Sequence, residues 1–315
     1  MRKLIFTFFI ICFLISAAFL LTKSANLFQK DTHQQKIPDS IQDGHIILAA
    51  GDIADCVGEG GEATRTATLL DSLPGTILTL GDNAYPDGAK EDFATCFEPT
   101  WGRHKERIYP SVGNHEYHTK DAQPYYEYFG VKAGDSGKGY YSFNLSTWHL
   151  IAINTQIFDI GYLCPEKGNN CGEVVEQMEW IKRDLQQNKT DCTLVFGHHP
   201  RFSSGVTSAS EGLIPLWESL YTENVDVVLA GHAHDYERFL PLNAQGEPDP
   251  QKGIRQFVVG TGGAGLNGFV AAENIEVVTN SVHGILKLVL GKGEYEWEFI
   301  SLDGSFVDKG RSSCH

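Results

Sequence analysis

Ile46–Asp52 reads IILAAGD, and the same grammar returns four times down the chain. Thr76–Asp82 is TILTLGD, Arg107–Asn114 is RIYPSVGN, Thr193–His198 is TLVFGH and Val225–His232 is VDVVLAGH. A sixth run, RQFVV at Arg255–Val259, leads into Gly260-Thr261-Gly262-Gly263. Each run has strand length and β-branched content, and each stops at a glycine, which permits a tight turn. The pattern predicts strands whose ends carry Asp, Asn or His.

Helical patterns lie between the runs. Ala63–Leu73 has Ala/Leu spacing, Val174–Gln187 is amphipathic, and Leu213–Tyr221 is a shorter candidate. Strands alternating with helices predict an α/β layered domain with mixed sheets. Near the end of the chain, Gly284–Leu290 and Glu294–Ile300 alternate in polarity and read as antiparallel strands. The 315 residues are 42% hydrophobic, enough to bury a large core, and composition excludes disorder, collagen-like repeats and coiled coil. With no tandem repeat and no second linker, residues 46–315 are expected to form one catalytic domain.

Two segments precede it. Arg2 and Lys3 stand before Leu4–Leu21, an uncharged apolar run that would span roughly 27 Å as a helix. That length suits either a signal peptide, with small residues for cleavage around Ala18, or a membrane anchor within residues 1–25. Both place the rest of the chain outside the cytoplasm: secreted, periplasmic, or anchored and facing the exterior. Residues 26–45 are polar and unpatterned, as in a linker. The cysteines agree with export. Outside the apolar run they number six, with no CxxC spacing, which fits disulfides better than zinc. The expected pairs are Cys164–Cys171, closing a short loop, Cys56–Cys96, and by remainder Cys192–Cys314. The formal charge of −15 argues against a nucleic-acid surface, so an anionic substrate needs a local positive centre.

In open α/β sheets, polar groups just past the carboxyl ends of strands gather in one crevice. Here those ends offer Asp52, Asp82, Asn114, His198 and the pair His232 and His234, with Tyr85 three residues beyond Asp82. A single Gly-Asp after a strand is more often a turn or a helix cap than a ligand. Recurrence at five strand ends reverses those odds. The donors are oxygens and imidazoles without thiolate, which suits iron, zinc or manganese. Seven donors exceed the needs of one ion and match two ions sharing a carboxylate.

The blocks GDIAD (Gly51–Asp55), GDNAY (Gly81–Tyr85), GNHE (Gly113–Glu116), FGHHP (Phe196–Pro200) and GHAH (Gly231–His234) stand in the order of the calcineurin-like metallophosphoesterases. GDNAY and GHAHDYER (Gly231–Arg238) resemble the purple acid phosphatase form, of the compact single-domain type. Generic members carry DxH at the first block, whereas this chain has Ala54 at that place and Tyr85 available instead. The resemblance implies a four-layer α-β-β-α sandwich of two mixed sheets flanked by helices. It implies that Asp52, Tyr85 and His234 hold a ferric iron, that Asn114, His198 and His232 hold a divalent iron, zinc or manganese, and that Asp82 bridges them. It implies hydrolysis of phosphomonoesters, small molecules or phosphoproteins, by attack of a metal-bound hydroxide. The alternative is a phosphodiesterase or nucleotide-hydrolysing enzyme of the same superfamily. An acid phosphatase-like phosphoric monoester hydrolase is the leading expectation.

His115 is the candidate for protonating the leaving group or holding a phosphate oxygen. Glu116 is expected to orient His115 by a hydrogen bond. His199 ranks low as a site residue, and Arg201 is either a phosphate contact or a surface residue. Many family members carry one or two histidines soon after the fourth block, where this chain reads RFSSGVTSASEG (Arg201–Gly212). The glycine-rich stretch Gly260–Gly265 lacks a nucleotide-binding pattern and is expected to let backbone approach the pocket. Tyr125, Tyr126, Tyr128 and Phe129 are expected to pack in the core, and Trp101, Arg103 and His104 are weak candidates for lining the cleft.

Overall fold

The computed structural model describes residues 41–55, 61–161, 171–205, 209–270 and 272–315. Its strands are β1 (His45–Ala50), β2 (Thr76–Leu80), β3 (Ile108–Ser111), β4 (Tyr141–Leu145), β5 (Trp148–Ala152), β6 (Cys192–Phe196) and β7 (Val227–Ala230). These are followed by β8 (Tyr236–Leu242), β9 (Ile254–Val259), β10 (Ile275–Thr279), β11 (Gly284–Gly291), β12 (Glu294–Ser301) and β13 (Val307–Ser313). The main helices are α1 (Glu62–Ser72), α2 (Gln123–Phe129), α3 (Gln156–Gly161), α4 (Cys171–Gln187) and α5 (Ile214–Thr222). All six glycine-terminated runs are strands, the three helical patterns are α1, α4 and α5, and the late alternating pair is the β11–β12 hairpin.

The strands form two mixed sheets flanked by helices, in the orders β13-β12-β11-β1-β2-β3 and β10-β8-β9-β7-β6-β5-β4. β1, β2 and β3 are parallel, as are β5, β6, β7 and β9, while the flanking hairpins are antiparallel. Side-chain alternation explains the layering. On β6, Leu194 and Phe196 join a core that also contains Ile47, Leu78 and Leu288 of the other sheet; Val195 between them points to a different one. β7 repeats the rule: Val227 and Leu229 face the inter-sheet core, and Val228 faces away. The outward residues pack on Phe158, Ile181, Leu185, Leu216, Trp217 and Leu220 of α3, α4 and α5. A sheet buried on both faces must be apolar on both, which is why these strands read as continuous hydrophobic runs.

Cys192 and Cys314 form a disulfide with Cα atoms 5.7 Å apart, as expected. The other two expected pairs involve Cys56 and Cys164, outside the described residues, as are residues 1–40 with their apolar segment. Among the described residues, no helix is long and apolar enough to cross a membrane. The aromatic cluster packs as expected: Tyr125, Tyr126 and Phe129 are buried, and Tyr128 stacks on Phe93. The cleft-lining expectation for Trp101, Arg103 and His104 is corrected. Trp101 is fully buried with its indole N–H on Thr66 Oγ1, and Arg103 and His104 both reach Asp71 on α1.

Candidate metal centre

Each block sits where a parallel strand ends, so the loops after β1, β2 and β3 meet those after β6 and β7. Three of the residues that follow the glycines take left-handed backbone: Asp52 (φ 57°), Asp82 (φ 46°) and His232 (φ 67°). Non-glycine residues rarely adopt that conformation, and such strain gathers at functional sites. The glycines answer a packing demand. A Cβ on Gly113 would stand 2.2 Å from Asp82 Oδ1, and one on Gly81, itself at φ 81°, would stand 2.5 Å from His198 Nδ1. At Gly81, Gly113 and Gly231 the glycine is the gap through which another block's side chain passes.

The seven expected donors converge. Tyr85 Oη lies 3.1 Å from Asp52 Oδ1 and 3.2 Å from His234 Nε2, which is itself 3.2 Å from Asp52 Oδ1. His198 Nε2 lies 2.9 Å from Asn114 Oδ1 and 3.2 Å from His232 Nδ1. Asp82 Oδ2 stands between the groups, 3.1 Å from Tyr85 Oη and 3.2 Å from His198 Nε2. Asp52, Asp82 and His198 are buried.

Backbone carbonyls set the tautomers. His198 Nδ1 faces Leu80 O at 2.8 Å and His234 Nδ1 faces Gly265 O at 2.7 Å, so each Nδ1 carries a proton and each neutral ring would offer its Nε2 lone pair inward. The glycine-rich loop behaves as expected: Gly262 and Ala264 donate N–H to Gly51 O and Asp52 O, which brings Gly265 under His234. His115 projects over the cluster, with Nε2 3.8 Å from Asp82 Oδ2 and its ring 4.3 Å from that of Tyr85. Its Nδ1 donates to Pro86 O.

The expected role of Glu116 is corrected. It does not reach the His115 ring. Its carboxylate accepts the backbone N–H groups of Asp82, Asn83, Ala84 and Gly113, at 2.7–3.3 Å, and so ties the second block to the third. Its partners lie 30 or more positions away or on its own turn, which no local pattern encodes. Two further residues carry weight unseen in the sequence. Thr155 Oγ1 gathers the backbone of His198 and His199, and Glu237 holds Ser203 and Ser204 after the fourth block. Arg201 stacks its guanidinium on Phe202, 4.6 Å from the ring centroid.

In the protein alone the centre balances its charge with protons. Burial opposes ionisation, but the Asp82 carboxylate outweighs it at His198 and raises that imidazole to about 9. Asp52 does the same at His234, also to about 9. Burial and then the charges of Asp52 and Asp82 push the Tyr85 phenol well above its usual range. Burial beside His198 takes His232 down to about 4. Two buried carboxylates thus recruit two imidazolium protons. Multivalent cations would replace those protons and favour the phenolate, so the residues present fit two ions.

Two mixed sheets flanked by helices, with oxygen and imidazole donors at the strand ends, define a metallophosphoesterase-type domain. Residues 31–236 match the calcineurin-like phosphoesterase family, and the chain belongs to it. Among curated relatives, purple acid phosphatase 15 of Arabidopsis thaliana is 28% identical over 54% of this chain and 37% of its own length. The chain spans less than half the length of the first curated relatives it matches. A solved purple acid phosphatase from yellow lupin (Lupinus luteus) seeds superposes with a TM-score of 0.65 at 19% identity, over 86% of this chain and 54% of that one. GAP50, described as the anchor in the inner membrane complex of Plasmodium, gives the same TM-score at 16% identity, over 86% of this chain and 89% of that one. At these identities the superpositions establish the fold alone. Chemistry has to be argued from the side chains.

Proposed function

We propose that this protein is an exported phosphoric monoester hydrolase of the purple acid phosphatase type, acting on phosphorylated small molecules or phosphoproteins. One observation carries the reading: seven donors from five strand ends meet, with Asp82 Oδ2 in contact with both groups. A scaffold that kept only the fold would have no need of strained backbone at Asp52, Asp82 and His232. Asp52, Tyr85 and His234 would hold ferric iron, because phenolate and carboxylate are hard anionic donors. Asn114, His198 and His232, all neutral when coordinating, would hold a divalent iron, zinc or manganese and leave it more electrophilic. Asp82 would serve both. When bound, such a pair supplies an activated water and neutralises charge developing on the phosphoryl group.

The chain's own residues do the rest. His115, its Nδ1–H fixed on Pro86 O, would carry a second, transferable proton at Nε2 in its imidazolium form, placed over Asp82 to protonate the departing oxygen as the P–O bond breaks, which leaves the neutral Nδ1–H ring. Glu116 fixes the backbone of Asp82 and Gly113, so the carboxylate and His115 keep their relative positions. The Leu4–Leu21 segment would direct export, and the Cys192–Cys314 disulfide supports an oxidising destination.

Hydrolysis of para-nitrophenyl phosphate and of its bis-ester, with metal analysis of the same protein, tests the reading. The expected result is two ions per chain, one of them iron, and preference for the monoester. Preference for the bis-ester would favour the phosphodiesterase alternative. A metal-loaded chain that cleaves neither would contradict the proposal.

A further inference from the structure

His199 is not among the seven donors, yet it is buried beside the second group of them. Its ring centroid lies 4.4 Å from that of His232 and 4.9 Å from that of His198. Each of the three imidazoles brings a nitrogen within 4.8 Å of the others. Proximity alone would make His199 an eighth ligand. The hydrogen bonds of Thr155 argue otherwise.

Thr155 Oγ1 accepts the backbone N–H of His198 at 3.2 Å and that of His199 at 2.9 Å. A hydroxyl has two acceptor lone pairs and one proton. With both lone pairs occupied, the 3.0 Å contact between Oγ1 and His199 Nδ1 has the hydroxyl as donor. Nδ1 therefore bears a lone pair, and the neutral ring keeps its proton on Nε2. At His115, His198 and His234 the partner of Nδ1 is a carbonyl, which can only accept, so those rings have the opposite tautomer whenever they are neutral.

We propose that His199 is a fixed hydrogen-bond donor to substrate: its Nε2–H, on a ring packed against those of His198 and His232, holds a phosphoryl oxygen. A neutral imidazole N–H is a poor acid, so the oxygen is held without proton transfer, whereas His115 gives up its Nε2 proton from the imidazolium form. His115 moves a proton, and His199 positions an oxygen.

The proposal rests on the phosphatase reading, and one set of measurements separates the two. Affinity for inorganic phosphate is read by calorimetric titration of the metal-loaded full chain and by inhibition of para-nitrophenyl phosphate hydrolysis, with metal content measured in parallel. His199→Phe keeps a ring and removes the donor. It is expected to weaken phosphate about tenfold while both ions stay bound. His199→Gln restores an N–H and is expected to stay within about threefold of wild type. The ring-nitrogen NMR spectrum of the zinc-loaded protein should assign the proton of His199 to Nε2, and Thr155→Val should weaken that bias. Unchanged phosphate affinity in His199→Phe, loss of an ion from it, or a proton on Nδ1 in the wild type would overturn the proposal. Should His199→Phe fail to fold, the wild-type spectrum and Thr155→Val still decide. A wild-type chain that neither binds phosphate nor cleaves its esters would instead sink the phosphatase reading, with the tautomer assignment untouched.

Discussion

The six-stranded sheet supplies only oxygen donors to the centre, and the seven-stranded sheet supplies only imidazoles. Asp52, Asp82, Tyr85 and Asn114 follow β1, β2 and β3; His198, His232 and His234 follow β6 and β7. Neither sheet holds a complete group of ligands. Asp52 and Tyr85 need His234, and Asn114 needs His198 and His232. The centre is therefore a property of the packing between sheets, and ions bound there would clamp the two together. A second asymmetry lies across the first. One group is anionic and suits a ferric ion; the other is neutral and suits an exchangeable divalent ion.

The largest break in this arrangement should come from Asp82→Asn, since Asp82 Oδ2 contacts Tyr85 of one group and His198 of the other. Turnover of para-nitrophenyl phosphate is expected to fall about 10³-fold or more, with metal content below two ions per chain. His115→Ala leaves every ligand in place. It should lower kcat by about 10²- to 10³-fold with both ions retained, as steady-state kinetics beside metal analysis will show. Tyr85→Phe tests the anionic group alone: the visible charge-transfer band of tyrosinate on ferric iron should vanish while the divalent ion remains.

Removing the ions probes the clamp itself. Ions present at about 100 times their dissociation constant contribute about 2.7 kcal/mol, so chelation should lower Tm by at least roughly 5 °C. The pH dependence of the stripped protein has a definite sign. His198 and His234 titrate at about 9 in the fold against an ordinary 6.5, so the folded state holds their protons more tightly. That stabilisation is complete below pH 6.5 and disappears as pH rises through about 9. Thermal melts of chelated protein should show the loss, and metal-loaded protein should not. The smallest effect is expected from Glu116→Gln, which replaces one acceptor oxygen among four N–H groups with a donor. It should cost about 1–3 kcal/mol in a denaturant titration.

Much of this was legible in advance because buried parallel strands must be apolar on both faces, and because crowding at the strand ends demands glycine. Gly113 is the clearest case, its Cβ position lying against Asp82. Where those two constraints relax, the sequence says less. β5 is followed by Ile153-Asn154-Thr155 without a glycine, so Thr155 passes unnoticed although it sits just past a strand end like the ligands. β8 begins inside the block GHAHDYER, at Tyr236, and its start reads as a motif before it reads as a strand. β10 and β13, at sheet edges, mix polar and apolar residues because one side faces solvent. The role of Glu116 was misread for a different reason: adjacency to His115 suggests a side-chain partner, while folding delivers four backbone donors.

The most direct test is crystallographic. Anomalous difference maps from metal-loaded crystals should show two peaks flanking Asp82, one beside Asp52, Tyr85 and His234 and the other beside Asn114, His198 and His232. A single peak, or two peaks that do not share Asp82, would contradict the account.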